Sequence, residues 1–179
     1  MLPVFTIGHS NRSIDDFVDL LRGADIGDLA DVRKMPMSRA NPQFNGTALA
    51  ATLAAVQISY AHIAALGGLR GKAARVPTEV NEFWTNKSFH NYADYALSDT
   101  FQQGLADLLD RAAQRRCAVM CAEAVWWRCH RRIITDYLIA RGRTVFHIMG
   151  PGRLETARMT PGAVIQPDGT VVYPESPAL

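Results

Sequence analysis

The residues best suited to chemistry lie together in one short stretch, residues 121–132, which reads CAEAVWWRCHRR. Cys121 could act as a nucleophile if nearby arginines or a helix N-terminus lowered its pKa. Glu123 could serve as a general acid or base. Each has a structural alternative, because Cys121 could be a small buried residue that ends a strand and Glu123 could pair with an arginine. Six residues separate Cys121 from Arg128, one more than in the loop of cysteine-dependent phosphatases, so that class is excluded.

Metal binding is a second chemistry open to this stretch. Cys121, Cys129 and His130, with His9 as a fourth ligand, could hold zinc, which prefers Cys and His at four corners. The closely spaced cysteine pair typical of zinc sites is absent from the sequence. Zinc binding is therefore the minority interpretation. None of these four residues is therefore predicted to be a metal ligand, and the sequence identifies no cofactor.

Several arginines predict an anion site, because a guanidinium group matches phosphate and carboxylate through paired hydrogen bonds. The arginines concerned are Arg33, Arg39, Arg128 and Arg131. The backbone amides at the start of the helix that follows residue 130 would add to the site. The structural alternative pairs these arginines with Asp31 and Glu123, and both arrangements can hold at once.

Polar residues at the start of the chain form a second candidate for ligand contact. His9, Ser10 and Asn11 directly follow a predicted strand and could orient a substrate or help to bind phosphate. Their alternative is a turn followed by a helix cap. His130 is predicted to join them in binding the ligand.

These residues must be positioned by strands and helices, and the hydrophobic pattern predicts both. Apolar runs predict five strands, which are residues 4–7, 26–32, 58–63, 117–120 and 144–149. Helical periodicity predicts segments at 13–23, 47–56, 79–86, 91–96, 98–114 and 133–142, and a Pro-Asp-Gly turn predicts a hairpin at 164–173. The predicted fold class is α/β, with three layers: a mostly parallel five-stranded sheet with helices on both faces, and a small C-terminal β-hairpin. Residues 1–179 are predicted to form a single domain.

The reactive residues fall at equivalent places in this fold. Each lies at or just beyond the C-terminal end of a predicted strand, and these ends share one edge of a parallel sheet. The residues are His9, Asp31, Arg33, His62, Cys121, Glu123 and His147. We therefore expect residues distant in sequence to converge on one site.

The composition restricts the classes of protein that fit. A hydrophobic fraction of 48% and a charged fraction of 20% are typical of a soluble globular domain. The net charge of +2 is too small to predict nucleic-acid binding by itself. The sequence has no apolar stretch long enough to span a membrane. With no signal-peptide pattern at its N-terminus and an odd number of cysteines, three, the chain is expected to be cytoplasmic with reduced thiols.

The order of the motifs resembles the DUF488 family. The motifs are Thr6-Ile-Gly-His-Ser-Asn-Arg-Ser13, Asp31-Val-Arg33 with Pro36 and Ser38-Arg39, Leu66-Gly-Gly, Cys121-Ala-Glu123 and Cys129-His130-Arg131. In the family, the segment before Cys129 commonly carries a proline and acidic residues, whereas this chain has Ala124-Val-Trp-Trp-Arg128. The resemblance implies a compact bacterial α/β domain and supplies no activity.

The combined prediction is a small enzyme acting on an anionic, phosphate- or nucleotide-containing ligand at the C-terminal edge of the sheet. In this hypothesis Glu123 is the acid or base and Cys121 the nucleophile, while His9 and Asp31 orient the substrate. The anion clamp consists of Arg33, Arg39 and Arg131.

Two alternatives come from other functional classes. The first is a non-catalytic nucleic-acid or nucleotide-binding module that uses the arginines with Trp126 and Trp127. The second is a metal-binding protein that uses the Cys and His residues. The sequence predicts a small anionic ligand, with nucleic acid as the alternative partner, and gives no indication of the oligomeric state.

Overall fold

The structure, a computed structural model, describes residues 1–175. Its strands are β1 (Val4–Gly8), β2 (Asp28–Asp31), β3 (Ser59–His62), β4 (Cys117–Cys121), β5 (Val145–Gly150), β6 (Arg153–Thr156), β7 (Val164–Ile165) and β8 (Val171–Val172). Its helices are α1 (Ile14–Gly23), α2 (Gly46–Ala54), α3 (Lys87–Tyr95), α4 (Asp99–Gln114) and α5 (Arg131–Ala140).

Six strands form the main sheet, in the order β3-β2-β4-β1-β5-β6. The first five are parallel to their neighbours, and β6 pairs antiparallel with β5. The prediction of five strands was therefore one strand short. The residues of β6, Arg-Leu-Glu-Thr, are all exposed and carry a single apolar side chain, so they lack the pattern of a buried strand. A tight turn at Gly152, where φ is +66°, brings β6 back onto β5.

Alternate side chains of the central strands enter two separate cores. In β4, Cys117, Val119 and Cys121 pack with residues of α3, α4 and α5. Ala118 and Met120 point the other way and pack with residues of α1 and α2. This period of two places helices on both faces of the sheet.

The connections leave β1 and β4 in opposite directions, although these two strands are neighbours. The chain after β1 runs through α1 to β2, and the chain after β4 runs through α5 to β5. Ligands of open α/β sheets bind beyond the strand ends at such a reversal of strand order. The residues after β1 and β4 are therefore the first place to look for a site.

The helix predicted at 79–86 is wrong. A 3₁₀ turn at Thr78–Asn81 takes its place, and a helix then runs over Lys87–Tyr95 rather than over 91–96. Asn86 explains the earlier start of this helix, because its side-chain oxygen accepts hydrogen bonds from the backbone N–H groups of Ser88 and Phe89 as an N-cap. The predicted C-terminal hairpin is confirmed as β7 and β8, which pair antiparallel.

Candidate functional site

A pocket of about 550 Å³ opens at the C-terminal edge of the sheet. It lies between the residues that follow β2 and β4, the loop around Gly68, and the N-terminal parts of α3 and α5. Its lining consists of Arg33, Lys34, Met35, Met37, Gly68, Leu69, Asn86, Ser88, Phe89, Tyr92, Cys121, Ala122, Glu123, Arg128, Cys129 and His130.

Two free cysteines lie in contact at the pocket. Cys121 ends β4, and Cys129 precedes α5 by two residues. Their sulfur atoms are 2.6 Å apart, and both side chains are buried. The helix positions Cys129, because the backbone N–H of Arg131, the first residue of α5, points at its sulfur from 3.5 Å. A thiolate at this position faces the positive end of the helix dipole.

The two thiols have opposite pKa shifts. Burial acts to raise the pKa of Cys129, but the hydrogen bond with Cys121, the charge of Arg131 and the Arg131 backbone N–H outweigh burial and lower the pKa to about 7. Burial and the adjacent Cys129 sulfur raise the pKa of Cys121 well above its usual value. The pair therefore loses its first proton from Cys129, which is partly ionised at neutral pH while Cys121 stays protonated.

His130 borders this thiolate in its neutral form, because burial lowers its pKa. Its Nε2 lies 2.7 Å from the carbonyl oxygen of Val32 and donates to it. Nδ1 is then left with a lone pair, 3.4 Å from the sulfur of Cys129. The ring packs so closely on Gly68 that a Cβ at that residue would lie 2.9 Å from Nδ1, which fixes the position of the imidazole.

The walls of the pocket are largely apolar, and its rim is charged. Phe89 and Tyr92 of α3 supply aromatic surface, and the exposed Met35, Met37 and Leu69 supply aliphatic surface. The rim carries Lys34, Arg128 and Glu123, which are all exposed. None of these three forms an ion pair with any residue in 1–175.

Arg33, predicted as part of an anion clamp, is held by protein groups on most of its donors. Nε and Nη2 donate to the carboxylate of Asp31, with Nη2 2.7 Å from Oδ2. Nη2 also donates to the carbonyl oxygen of Phe44, and Nη1 lies 3.4 Å from Nε2 of His9. The hydroxyl of Tyr60 donates to Asp31 at 2.6 Å. The pairing of Arg33 with Asp31 considered from the sequence is therefore present, whereas the Glu123 carboxylate forms no ion pair with an arginine of residues 1–175. Of the arginines predicted to bind the anion, Arg33 and Arg128 line the pocket.

His9 supports this network as a neutral ring. It is buried, stacks on Phe44 with ring centroids 4.4 Å apart, and its Nδ1 donates to the carbonyl oxygen of Ser10. Burial lowers its pKa, with a further contribution from the charge of Arg33. His9 and Asp31 thus position Arg33 rather than face the pocket.

Arg131, the other main member of the predicted clamp, lies beneath the 122–128 loop instead of in the pocket. Its guanidinium donates to the carbonyl oxygen of Glu123 at 2.8 Å and to Oγ1 of Thr6 at 3.1 Å, and the side chain is 1% exposed. The sequence did contain the signal: Arg131, Ile134, Thr135 and Leu138 have the i, i+3, i+4, i+7 spacing of a buried helix face.

The remaining predicted ligand residues are not brought into the pocket. Ser10, with a φ of +48°, bonds its hydroxyl to the exposed Asn11, and neither residue lines the pocket. Arg39 is exposed and also lies outside it. Trp126 stacks on His147 with ring centroids 4.6 Å apart, so its face is not open to a base. Trp127 is 43% exposed.

Sequence reasoning gave Cys129 only a metal-binding role and missed its character as a thiolate. The available signal was its position just before a helix, whereas Cys121 closes a buried strand. Lys34 and the aliphatic side chains of Met35, Met37 and Leu69 were also missed, because they lie in loops without a periodic pattern. Over residues 1–175, no group of three or more Cys, His, Asp or Glu side chains is arranged to hold a metal ion. None of the helices described has the length and hydrophobicity that crossing a membrane requires.

Comparison with known proteins confirms the family suggested by the motifs. The family model described as "Domain of unknown function DUF488" matches residues 13–138. This range begins at the N-cap of α1, extends into α5, and includes both cysteines at the pocket. No curated protein and no solved structure matches the chain significantly.

Proposed function

The chain belongs to the DUF488 family, and we propose that it is an enzyme in which the Cys129 thiolate attacks an anionic ligand held in the pocket. The observation that carries this proposal is the combination found there: a thiolate site beside a helix N-terminus, below a rim with two cations that lack ion pairs within the described chain. A nucleophile must be deprotonated to react, and a pKa of about 7 leaves Cys129 partly ionised at neutral pH.

The rim and the walls divide recognition of the ligand between them. Lys34 and Arg128 attract negative charge, and Phe89 offers a surface for an apolar or aromatic part. Glu123 lies at the rim, where it is placed to exchange protons with a leaving group. The narrower prediction of a phosphate- or nucleotide-containing ligand stays a prediction, because these cations attract a phosphate and a carboxylate alike.

The test compares two alkylating reagents of similar size: iodoacetate, an anion that the cationic rim attracts, and iodoacetamide, which is neutral. We expect Cys129 to be the cysteine labelled, with a rate that rises through pH 7 as the thiol ionises. The charged and titratable neighbours that set this profile are Cys121, His130, Arg131 and Tyr92. Cys117 provides an internal control, because burial raises its pKa to about 12.

The ratio of the labelling rate with iodoacetate to the labelling rate with iodoacetamide should be higher for Cys129 than for a free model thiol. The double variant Lys34→Gln, Arg128→Gln should remove this preference, which electrostatic attraction can make about tenfold at low ionic strength. Arg39→Gln is the matched control, because it removes an exposed arginine outside the pocket. Peptide mapping that finds Cys129 inert, or a preference unaffected by the double variant, would contradict the proposal.

A non-catalytic nucleic-acid-binding module is supported less well. It would need exposed aromatic faces beside the arginines. Of the residues predicted for this role, Trp126 is stacked on His147 and Arg131 is buried under the loop, so a single tryptophan, Trp127, is left beside the exposed Arg128.

A further inference from the structure

The second cysteine of the pocket has no role in a mechanism that uses a single nucleophile. Cys121 touches Cys129 directly, with its sulfur 2.6 Å away, while its other contact is the carbonyl oxygen of Glu123 at 3.6 Å. The contact is local and needs no rearrangement of the fold, because Cys121 ends β4 and Cys129 is the second residue before α5. A thiol held against a nucleophilic thiol is the group that resolves a mixed disulfide.

We propose that this site carries out thiol–disulfide exchange with small anionic disulfides, with Cys129 as the attacking thiol and Cys121 as the resolving thiol, so that the reduced site is oxidised once per disulfide. The inference rests on the proposed function for the identity of the nucleophile, and it names the electrophile as a sulfur atom. The pocket at 550 Å³ admits a small disulfide, and Lys34 with Arg128 at the rim matches its carboxylates.

The exchange proceeds in two balanced steps. The Cys129 thiolate attacks one sulfur of the disulfide, so that a Cys129–sulfur bond forms, the disulfide bond breaks and one thiolate leaves. This thiolate takes the proton of Cys121. The Cys121 thiolate then attacks the sulfur of Cys129, forms the Cys121–Cys129 disulfide and releases the second thiolate. The protein pair is oxidised by two electrons, and the substrate disulfide is reduced to one thiol and one thiolate, which takes its proton from water.

The surroundings assign the two roles in one direction. Cys129 lies against the Arg131 backbone N–H, which stabilises a thiolate, and it is the more exposed of the two, at 7% against 2% for Cys121. The opposite pKa shifts agree with this assignment, because the thiol with the lower pKa attacks and the other remains protonated until the mixed disulfide has formed. Cys117, at the opposite end of β4, has no cysteine partner among the hydrogen bonds of the described chain.

The experiment exposes the reduced full-length chain to glutathione disulfide, which is anionic, and to cystamine, which is cationic, with acid quenching and mass mapping. Wild type should yield a Cys121–Cys129 disulfide and release free glutathione. Cys121→Ser should stop at a long-lived mixed disulfide on Cys129, and Cys129→Ser should lose the reaction. Cys117→Ser, the matched control, should behave as wild type. The double variant Lys34→Gln, Arg128→Gln should slow the reaction with glutathione disulfide by about tenfold and the reaction with cystamine much less.

The outcomes separate this inference from the proposed function. A Cys129 that is alkylated rapidly, but whose mixed disulfide is equally long-lived in wild type and in Cys121→Ser, would overturn the exchange mechanism alone. Exchange that proceeds in Cys129→Ser through Cys121 would also overturn it. A Cys129 inert to both alkylating reagents and both disulfides would overturn the two proposals together.

Discussion

At the scale of single residues, His147 shows how the pocket loop constrains protonation deep in the sheet. His147 is 1% exposed in β5 and lies under Trp126. Oγ1 of Thr6 accepts a hydrogen bond from Arg131 and lies 2.6 Å from Nδ1 of His147, to which the hydroxyl can donate its proton. Burial, with the charge of Arg131, lowers the pKa of His147 to about 3. Between about pH 6.5 and pH 3, the histidine is thus neutral in the folded protein but protonated in the unfolded chain.

This gives a prediction for the pH dependence of stability. Below about pH 6.5, the unfolded chain binds a proton at His147 that the folded protein does not bind until about pH 3. The free energy of unfolding should therefore fall as the pH is lowered through this range, with a slope from this group of at most about 1.4 kcal/mol per pH unit. In His147→Asn, whose side-chain oxygen can still accept from Thr6, the slope should be smaller by that amount.

Urea denaturation at several pH values between 7 and 4 measures both slopes. His9 and His130 also have lowered pKa values, but they are present in both proteins and cancel in the difference. Equal slopes in the two proteins would show that His147 does not stay neutral in the folded state.

The sequence could place reactive residues at one edge, but not the direction in which each side chain points. The convergence of Arg33, Glu123 and His130 on the pocket follows from the parallel sheet. The burial of Arg131 depends on the phase of α5, and the bond from Arg33 to Asp31 depends on a turn that folds the guanidinium back over two residues. Charge alone favoured exposed positions for Arg33 and Arg131. The direction in which each guanidinium points is decided by packing, which the composition does not reveal.

At the scale of elements, the site is built by the close approach of the segments after β1 and β4. The backbone N–H of His9 donates to the carbonyl oxygen of Cys121 at 2.9 Å, and that of Ser10 donates to Ala122 at 3.0 Å. A Cβ on Gly8 would lie 1.8 Å from the carbonyl oxygen of Glu123. The carbonyl has little freedom to move, because the buried Arg131 donates to it as well.

Gly8→Ala should therefore destabilise the protein and displace the residues after β4. We expect a loss of about 1–3 kcal/mol in the free energy of unfolding, the usual cost of overpacking. Gly71→Ala is the matched control, because a Cβ there meets nothing within 4 Å and φ is not positive. Chemical denaturation measures the free energy of unfolding of both variants. The rate at which iodoacetamide labels Cys129 reports whether the residues after β4 have moved. A Gly8→Ala protein as stable as Gly71→Ala would contradict the packing described.

The elements that the sequence predicted were those with strong hydrophobic patterns. The amphipathic α1 and α4 have serine N-caps at Ser13 and Ser98, as expected for these positions. The sequence failed at β6 and α3. The exposed edge strand β6 depends on pairing with β5 for its existence, and in α3 a single asparagine, Asn86, decides where the helix begins. Both depend on local polar contacts rather than on burial.

At the scale of the whole molecule, the C-terminal segment joins parts of the chain that are distant in sequence. Tyr173 is fully buried, and its hydroxyl donates to the carboxylate of Asp136 in α5 at 2.7 Å. Its backbone N–H donates to the side chain of Asn81 at 3.0 Å, and Asn81 in turn donates to Asp94 of α3 at 2.7 Å. The segment after β8 is therefore expected to unfold together with α3 and α5, as the prediction of a single domain requires.

Tyr173→Phe tests this connection, because it leaves the ring in place and removes one donor from a buried carboxylate. We expect a loss of about 1–3 kcal/mol, the range for leaving a buried polar partner without its hydrogen bond. Tyr95→Phe is the control and should cost less, since the Tyr95 hydroxyl is partly buried and donates to a neutral carbonyl oxygen, that of Ala65.

Urea unfolding is followed by tryptophan fluorescence and by far-ultraviolet circular dichroism. Trp84, with its ring 5.2 Å from the Tyr173 ring, contributes to the fluorescence. In a single cooperative domain the two transitions coincide, in wild type and in the variant. A fluorescence change that precedes the loss of helix would mean that the C-terminal segment detaches by itself, and the single-domain prediction would then be wrong.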